Sequence, residues 1–277
     1  MLFRVPISPW LTPPRLVPVD EAQANNVVRM PRFLSDDDID SLRAAAVAVS
    51  VDLERAGRPG AHDLAFRQAS PKGSWSSVFL NHRMAELLPA LHSRLFAAAK
   101  AADQAQWGLL DADRHALSFR VAELHTVTPG GGIRSAVHHD YGSLITLDLM
   151  LSDPEDFEGG SLQTPEADGS LVTHRFERGD LLLFQSHKYH SVTPVTAGTR
   201  SVLVLELWEG LPRRCPRRCT DPWGPCACQF ASKPRVYQSD LYRRTVSEHF
   251  VPAAMLRLLK QSNSLCADML PCWHHGV

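Results

Sequence analysis

The sequence predicts an α+β chain with a mainly β core, a sandwich or barrel flanked by helices. Three observations predict it. From about Leu117 to Trp208, short aliphatic, β-branched and aromatic runs are separated by Gly, Pro and Asp, the texture of several short strands joined by turns. Two stretches ahead of that region carry apolar residues at helical spacing. The chain has 277 residues, 44% of them hydrophobic, enough to bury a substantial core in one elaborated domain.

Residues 1–33 hold Pro6, Pro9, Pro13, Pro14, Pro18 and Pro31, too closely spaced for regular helix, and read as an extended arm without chemistry of its own. Residues 34–115 form a helical support region. Ser35 followed by Asp36, Asp37 and Asp38 is a helix start, because a capping hydroxyl and early negative charge suit the unpaired amides there; this helix runs to about Arg55 and stops near Gly57 and Pro59. A second helical zone spans about Asn81 to Ala105, with Met84, Leu87, Leu88, Leu91, Leu95 and Phe96 as a core stripe. Residues 116–210 form the β core, with strands expected at Leu117–Val127, Ser143–Leu151, Ser161–Thr164, Leu171–Phe176, Asp180–Gln185 and Ser201–Trp208. Residues 211–277 form a Cys-rich tail ending in an amphipathic helix over about Ser239 to Lys260.

Composition excludes several classes. The 29 Lys and Arg nearly balance the 30 Asp and Glu, so no overall field draws the protein to nucleic acid or an anionic membrane. No apolar stretch approaches the roughly 20 residues of a membrane span, and the proline-bearing N-terminus is a poor secretory signal, so a soluble intracellular, cytoplasmic protein is expected. All six cysteines lie at or after Cys215, which argues against a disulfide framework for the body of the chain.

The chemistry concentrates between His138 and Arg200. His138-x-Asp140 places two ligand-type side chains on one face of an extended strand. With 13 His in the chain, roughly one such pair arises by chance, so the pair means little alone. Its company changes that: Gly179-Asp-Leu-Leu-Leu-Phe184 reads as a turn and a buried strand, and is followed by His190-Ser-Val-Thr-Pro-Val195 and Gly198-Thr-Arg200. Two His and one carboxylate on one face leave three iron positions open, the ligand set that suits non-haem Fe(II). Arg200 opens an apolar strand beside this cluster, and a guanidinium there pairs bidentately with the distal carboxylate of a chelating ligand. His139 lacks the i, i+2 relation to Asp140 and is expected to face away; His187 is the alternative to His190. Tyr141, Arg134, Lys188 and His187 flank the ligands.

Pro129-Gly-Gly, His138-x-Asp140, Leu151-Ser152, Phe157-Glu-Gly-Gly160, Gly179-Asp-Leu-Leu-Leu-Phe184, His190-Ser-Val-Thr-Pro-Val and Gly198-x-Arg200 stand in this order over about Leu117 to Gly210. In order and spacing this stretch resembles the core of the prolyl 4-hydroxylase-like 2-oxoglutarate and Fe(II)-dependent dioxygenases. The resemblance implies a double-stranded β-helix of jelly-roll or cupin-like form with flanking helices. It implies that His138, Asp140 and His190 bind Fe(II), with His190 rather than His187 at the family's ligand place, and that Arg200 binds the distal carboxylate of 2-oxoglutarate. It further implies that O2 is consumed, that 2-oxoglutarate is decarboxylated to succinate as an organic substrate is hydroxylated, a prolyl residue in a peptide being the family-level expectation, and that ascorbate keeps the iron reduced. Asp140 in place of a small residue favours hydroxylation over halogenation. Many family members carry Tyr before the Pro-Gly and hydrogen-bond 2-oxoglutarate with it; Thr128 stands there, and Thr146 is a second candidate for that bond.

Two other readings compete: a non-catalytic metal-bound jelly-roll interaction module, and a cupin-like metalloenzyme that does not use 2-oxoglutarate. Metal analysis with 2-oxoglutarate-dependent oxygen consumption separates the three. In the tail, Cys215, Cys219, Cys226 and Cys228 are a candidate zinc site of non-standard spacing, for which disulfides or reduced thiols are the plain alternatives. Arg213, Arg214, Arg217 and Arg218 beside them form a local basic patch, read first as a solvated linker face.

Overall fold

The computed structural model describes residues 26–110, 117–140, 143–166 and 170–209. Most of the arm, the candidate zinc cysteines, the basic patch and the expected C-terminal helix lie outside the described residues.

Helix α1 (Asp36–Arg55) starts where its sequence predicts. The Ser35 hydroxyl accepts from the Asp38 amide at 3.2 Å and the Asp38 carboxylate accepts from the Ser35 amide at 2.9 Å, a reciprocal capping box. Ile39, Leu42, Ala45, Ala46 and Val49 form its buried stripe. The second helical zone is two helices, α2 (Arg83–Leu87) and α3 (Pro89–Gln106). Pro89 explains the break: it has no amide to donate and excludes Leu88 from helical geometry, so Leu88 sits at φ −133°, ψ 55° and the stripe resumes in a new helix.

Thirteen strands are present among the described residues: β1 (Val28–Met30), β2 (His62–Asp63), β3 (Trp75–Phe79), β4 (Leu117–Val127), β5 (Ile133–His138), β6 (Ile145–Met150), β7 (Phe157–Gly159), β8 (Leu162–Pro165), β9 (Leu171–Thr173), β10 (Leu181–Gln185), β11 (His190–Val192), β12 (Val195–Gly198) and β13 (Arg200–Glu209). They make a seven-stranded sheet in the order β1-β10-β6-β13-β4-β3-β2, a four-stranded sheet β5-β11-β8-β9 and a ribbon β12-β7. All six expected strands form, with ends moved by a few residues. Seven strands lie outside the expected six: β5, β7, β11 and β12 are short strands within the β core, and the other three change the outline of the large sheet. The end of the arm is an edge strand, β1, paired with β10, and the helical support region contributes β2 and β3, which extend the large sheet beyond β4.

Strand alternation sorts the large sheet into two faces. Ile145, Leu147 and Leu149 of β6 and Leu203, Leu205 and Leu207 of β13 join Ile39, Leu42, Leu91 and Leu95 of the helices in one core. Burying each such side chain stabilises the fold by roughly 1.5–3 kcal/mol. On the other face, Leu182 and Phe184 meet Leu162 and Val192 of the small sheet. The two sheets therefore face each other across an interior lined by the even-numbered residues of β6 and β13, the jelly-roll arrangement of a double-stranded β-helix.

Candidate metal centre and active site

This inner face is polar where the helix-facing side is aliphatic. Thr146 lies across from Glu206 and Phe184, and Asp148 across from Val204 and Leu182. On β4, Glu123 lies across from Val204, His125 from Val202 and Val127 from Arg200. Trp75 of β3 donates its indole N–H to His125 Nδ1 at 3.0 Å, so the ring proton sits on Nε2, 3.3 Å from Glu123 Oε2. Below the cluster, Arg120 is the extra residue of a bulge opposite Glu206 and Leu207. Its guanidinium is ion-paired to Glu206, whose carboxylate also accepts from the Ser143 hydroxyl at 2.6 Å.

Above this face, antiparallel pairing of β11 with β5 sets His190 directly opposite His138. With Asp140, their ligand-type atoms all lie within 4.8 Å of one another. His138 Nε2 is 3.5 Å from Asp140 Oδ1 and His190 Nε2 is 3.8 Å from Asp140 Oδ2. His190 and Asp140 are each oriented by a hydrogen bond to a group outside the trio. His190 Nδ1 lies 3.0 Å from the Lys188 carbonyl, an acceptor only, so Nδ1 carries the proton and Nε2 presents a lone pair to the cluster. Burial lowers the His190 pKa and favours this neutral ring. The Thr146 hydroxyl donates to Asp140 Oδ2 at 2.7 Å and lies 3.0 Å from the Ser186 hydroxyl, while the Asp140 amide donates to the Ser186 carbonyl at 2.8 Å. Thr146, expected as a candidate contact of 2-oxoglutarate, is thus engaged in holding Asp140.

The other residues that flank the ligands in sequence are mostly engaged away from the trio. His139 packs beside His187, ring centroids 5.7 Å apart, and the wholly buried His187 has its pKa pushed down to about 3 by desolvation. Lys188 is wholly buried and ion-paired to Glu166 at 2.9 Å. Arg134 is exposed, reaching the Gly130 carbonyl, and Tyr141 lies outside the described residues.

Arg200 is 3% exposed, and its Nε has no hydrogen-bond partner among the described residues. Desolvation pushes its guanidinium down to about 10, with Asp148 acting the other way. Its stem crosses Gly160, where a Cβ would stand 2.6 Å from Arg200 Cδ, and its head lies 5.9 Å from the Phe176 ring centroid. A buried guanidinium without a partner is costly unless an anion completes it. Thr128 is half-buried in the turn after β4, next to Val127 and so beside Arg200 in register; its amide and carbonyl are used by Ser74 and Gly131.

The sequence reading missed Asp148, Glu206, Glu123, His125 and Trp75. A signal existed: Thr146 and Asp148, Glu123 and His125, and Arg200 and Glu206 stand at even spacing within otherwise apolar strands, which puts each pair on one face.

In fold and in partial sequence the chain is similar to the prolyl 4-hydroxylase-like 2-oxoglutarate and Fe(II)-dependent oxygenases. No protein-family model matches the chain. Among curated proteins it is similar to a PKHD-type hydroxylase of Teredinibacter turnerae, 36% identical over 73 residues that cover 26% of this chain and 32% of the relative. It is also similar to PKHD-type hydroxylase YbiX of Escherichia coli, 35% identical over 109 residues, 32% of this chain and 46% of the relative. The matched part thus spans less than half the length of either relative. Among solved structures, a Pseudomonas putida prolyl-4-hydroxylase aligns over 70% of this chain and 97% of its own, with a TM-score of 0.50 and 16% identity, a likeness of fold. Among the described residues no helix is long and apolar enough to cross a membrane.

Proposed function

We propose that the chain is a 2-oxoglutarate-dependent Fe(II) hydroxylase, with His138, Asp140 and His190 holding the metal and Arg200 holding the distal carboxylate of 2-oxoglutarate. The observation that carries this reading is the buried, unpartnered Arg200 side chain opening onto the interior that contains the His/Asp/His cluster. The donor set fits the metal: two imidazoles and one carboxylate leave three positions for co-substrate and O2. When bound, the iron couples decarboxylation of 2-oxoglutarate by O2 to hydroxylation of a C–H bond, yielding succinate and CO2.

The residues of the chain supply geometry and a dry surrounding. The Lys188 carbonyl sets the His190 tautomer and the Thr146 hydroxyl sets the Asp140 carboxylate, so both ligands are oriented before a metal arrives. Arg200 fixes one end of the co-substrate, and Phe184, whose ring centroid is 5.0 Å from that of His190, helps exclude water. The substrate is an organic molecule, with a prolyl residue in a peptide as its proposed class and ascorbate as reductant. The names of the relatives and the fold support this reading.

Two measurements test it. The purified full chain should bind one equivalent of Fe(II), and His190→Ala should lose it. With iron, O2 and 2-oxoglutarate it should release succinate, and Arg200→Ala should reduce that release at least about tenfold, the loss expected for a charge-assisted bond to a buried carboxylate. Equal turnover by Arg200→Ala would overturn the co-substrate assignment.

A further inference from the structure

We infer that Asp148 is the second anchor for the distal carboxylate of 2-oxoglutarate, donating a hydrogen bond from its carboxyl O–H beside the Arg200 guanidinium. This rests on the co-substrate reading above.

Asp148 is 7% exposed, and no hydrogen bond or ion pair engages it among the described residues. Its carboxyl is thus left to solvent or to a ligand in the interior rather than to a protein partner. Its direction is set by β6: Thr146, on the same face two residues earlier, touches Asp140, while Ile145, Leu147 and Leu149 face the helices. Asp148 therefore projects into the interior between the metal cluster and the Arg200 end of β13. The groups facing it are Asp140 from the cluster and Arg200 and Glu206 from β13. Across from it lie the apolar Val204 and Leu182, with Glu123 beyond Val204 on β4. No ion pair closes the gap between Asp148 and Arg200, although both are buried on one face.

Charge decides between the two forms of this carboxyl. Glu206 is matched by Arg120. Around the co-substrate itself stand Fe(II), the Asp140 carboxylate, the Arg200 cation and the 2-oxoglutarate dianion, whose charges cancel. An ionised Asp148 would add an unbalanced negative charge beside the co-substrate carboxylate, whereas a neutral carboxyl adds a donor. Burial, the largest cause, pushes the Asp148 pKa up, to about 7 in the metal-free chain, with Arg200 acting the other way. Two carboxyl groups sharing a proton, with a guanidinium alongside, also accounts for how the co-substrate is held where Thr128 replaces the family's Tyr.

Calorimetric titration of 2-oxoglutarate into full chain loaded with redox-silent Mn(II) tests this without turnover. At pH 6.5, Asp148→Leu should weaken binding at least about tenfold, as expected for loss of a hydrogen bond to a charged group. Asp148→Asn, which keeps an N–H donor, should stay within about threefold of wild type. From pH 6.5 to 8.5 wild-type affinity should fall relative to that of Asp148→Asn. Thermal unfolding and Mn(II) titration show that each variant is folded and metal-competent. Asp148→Leu binding like wild type, Asp148→Asn losing as much as Asp148→Leu, or parallel pH profiles would each overturn the inference. If wild type bound no 2-oxoglutarate, the co-substrate reading itself would fall; if Arg200→Ala lost binding and Asp148→Leu did not, only the Asp148 assignment would.

Discussion

At the scale of single residues, the His/Asp/His cluster is oriented by groups outside it. Thr146 donates to Asp140 Oδ2; Thr146→Val keeps the shape and removes the donor, so Fe(II) affinity should fall roughly 10–100-fold. Competition against a chelating indicator measures this, and unchanged affinity would mean that Asp140 is oriented by the backbone alone. Gly160 is the corresponding residue for Arg200. Its φ is +63°, and an added Cβ would meet Arg200 Cδ at 2.6 Å. Gly160→Ala should therefore cost at least about tenfold in 2-oxoglutarate affinity, by displacing a bidentate partner, while metal binding is retained. Loss of both, read by parallel metal and ligand titrations, would point to a local collapse instead.

At the scale of elements, the clearest sequence signals were local ones. Ser35 with three aspartates predicted the start of α1 and forms the capping box there; Ser35→Ala should destabilise the protein by about 1 kcal/mol, visible as a lower Tm. Strands with continuous apolar runs were legible because a buried strand needs them: β4 and β10 appear as predicted to within a residue. The short strands β2 and β3 were not, because Trp75-Ser-Ser-Val-Phe79 owes its conformation to pairing with β4, a partner almost fifty residues away. The break at Leu88 is written in Pro89, but the apolar stripe continues through it and masks the break. His138, Asp140, His190 and Arg200 stood out in the sequence by company and order, and the fold brings the first three together. Asp148, Glu206 and His125 did not, because single polar residues in strands reveal a shared face only once the register between strands is known.

At the scale of the whole molecule, the large sheet separates two jobs. One face is sealed by helices and supplies stability; the other keeps buried polar groups, among them Arg200, whose Nε has no hydrogen-bond partner among the described residues. Such an interior makes the ligand-free protein pH-dependent in an uncommon direction. The unfolded Asp148 carboxyl releases its proton near the ordinary value of 3.8, the folded one near about 7. Between those values the native state holds a proton that the unfolded state has lost, so this group's contribution to stability falls as pH rises from about 4 to about 7 and is level above. Asp148→Asn lacks that loss: denaturant unfolding of metal-free protein should show its advantage over wild type growing across the window. A constant difference between the two would contradict a buried proton at Asp148.

The most direct test of the assignment as a whole is oxygen uptake by the Fe(II)-loaded chain on addition of 2-oxoglutarate. The expected result is uptake matched by succinate, absent in Asp140→Asn and strongly reduced in Arg200→Ala. An iron-loaded wild-type chain that takes up no oxygen when saturated with 2-oxoglutarate, or an Arg200→Ala variant that takes it up equally well, would contradict it.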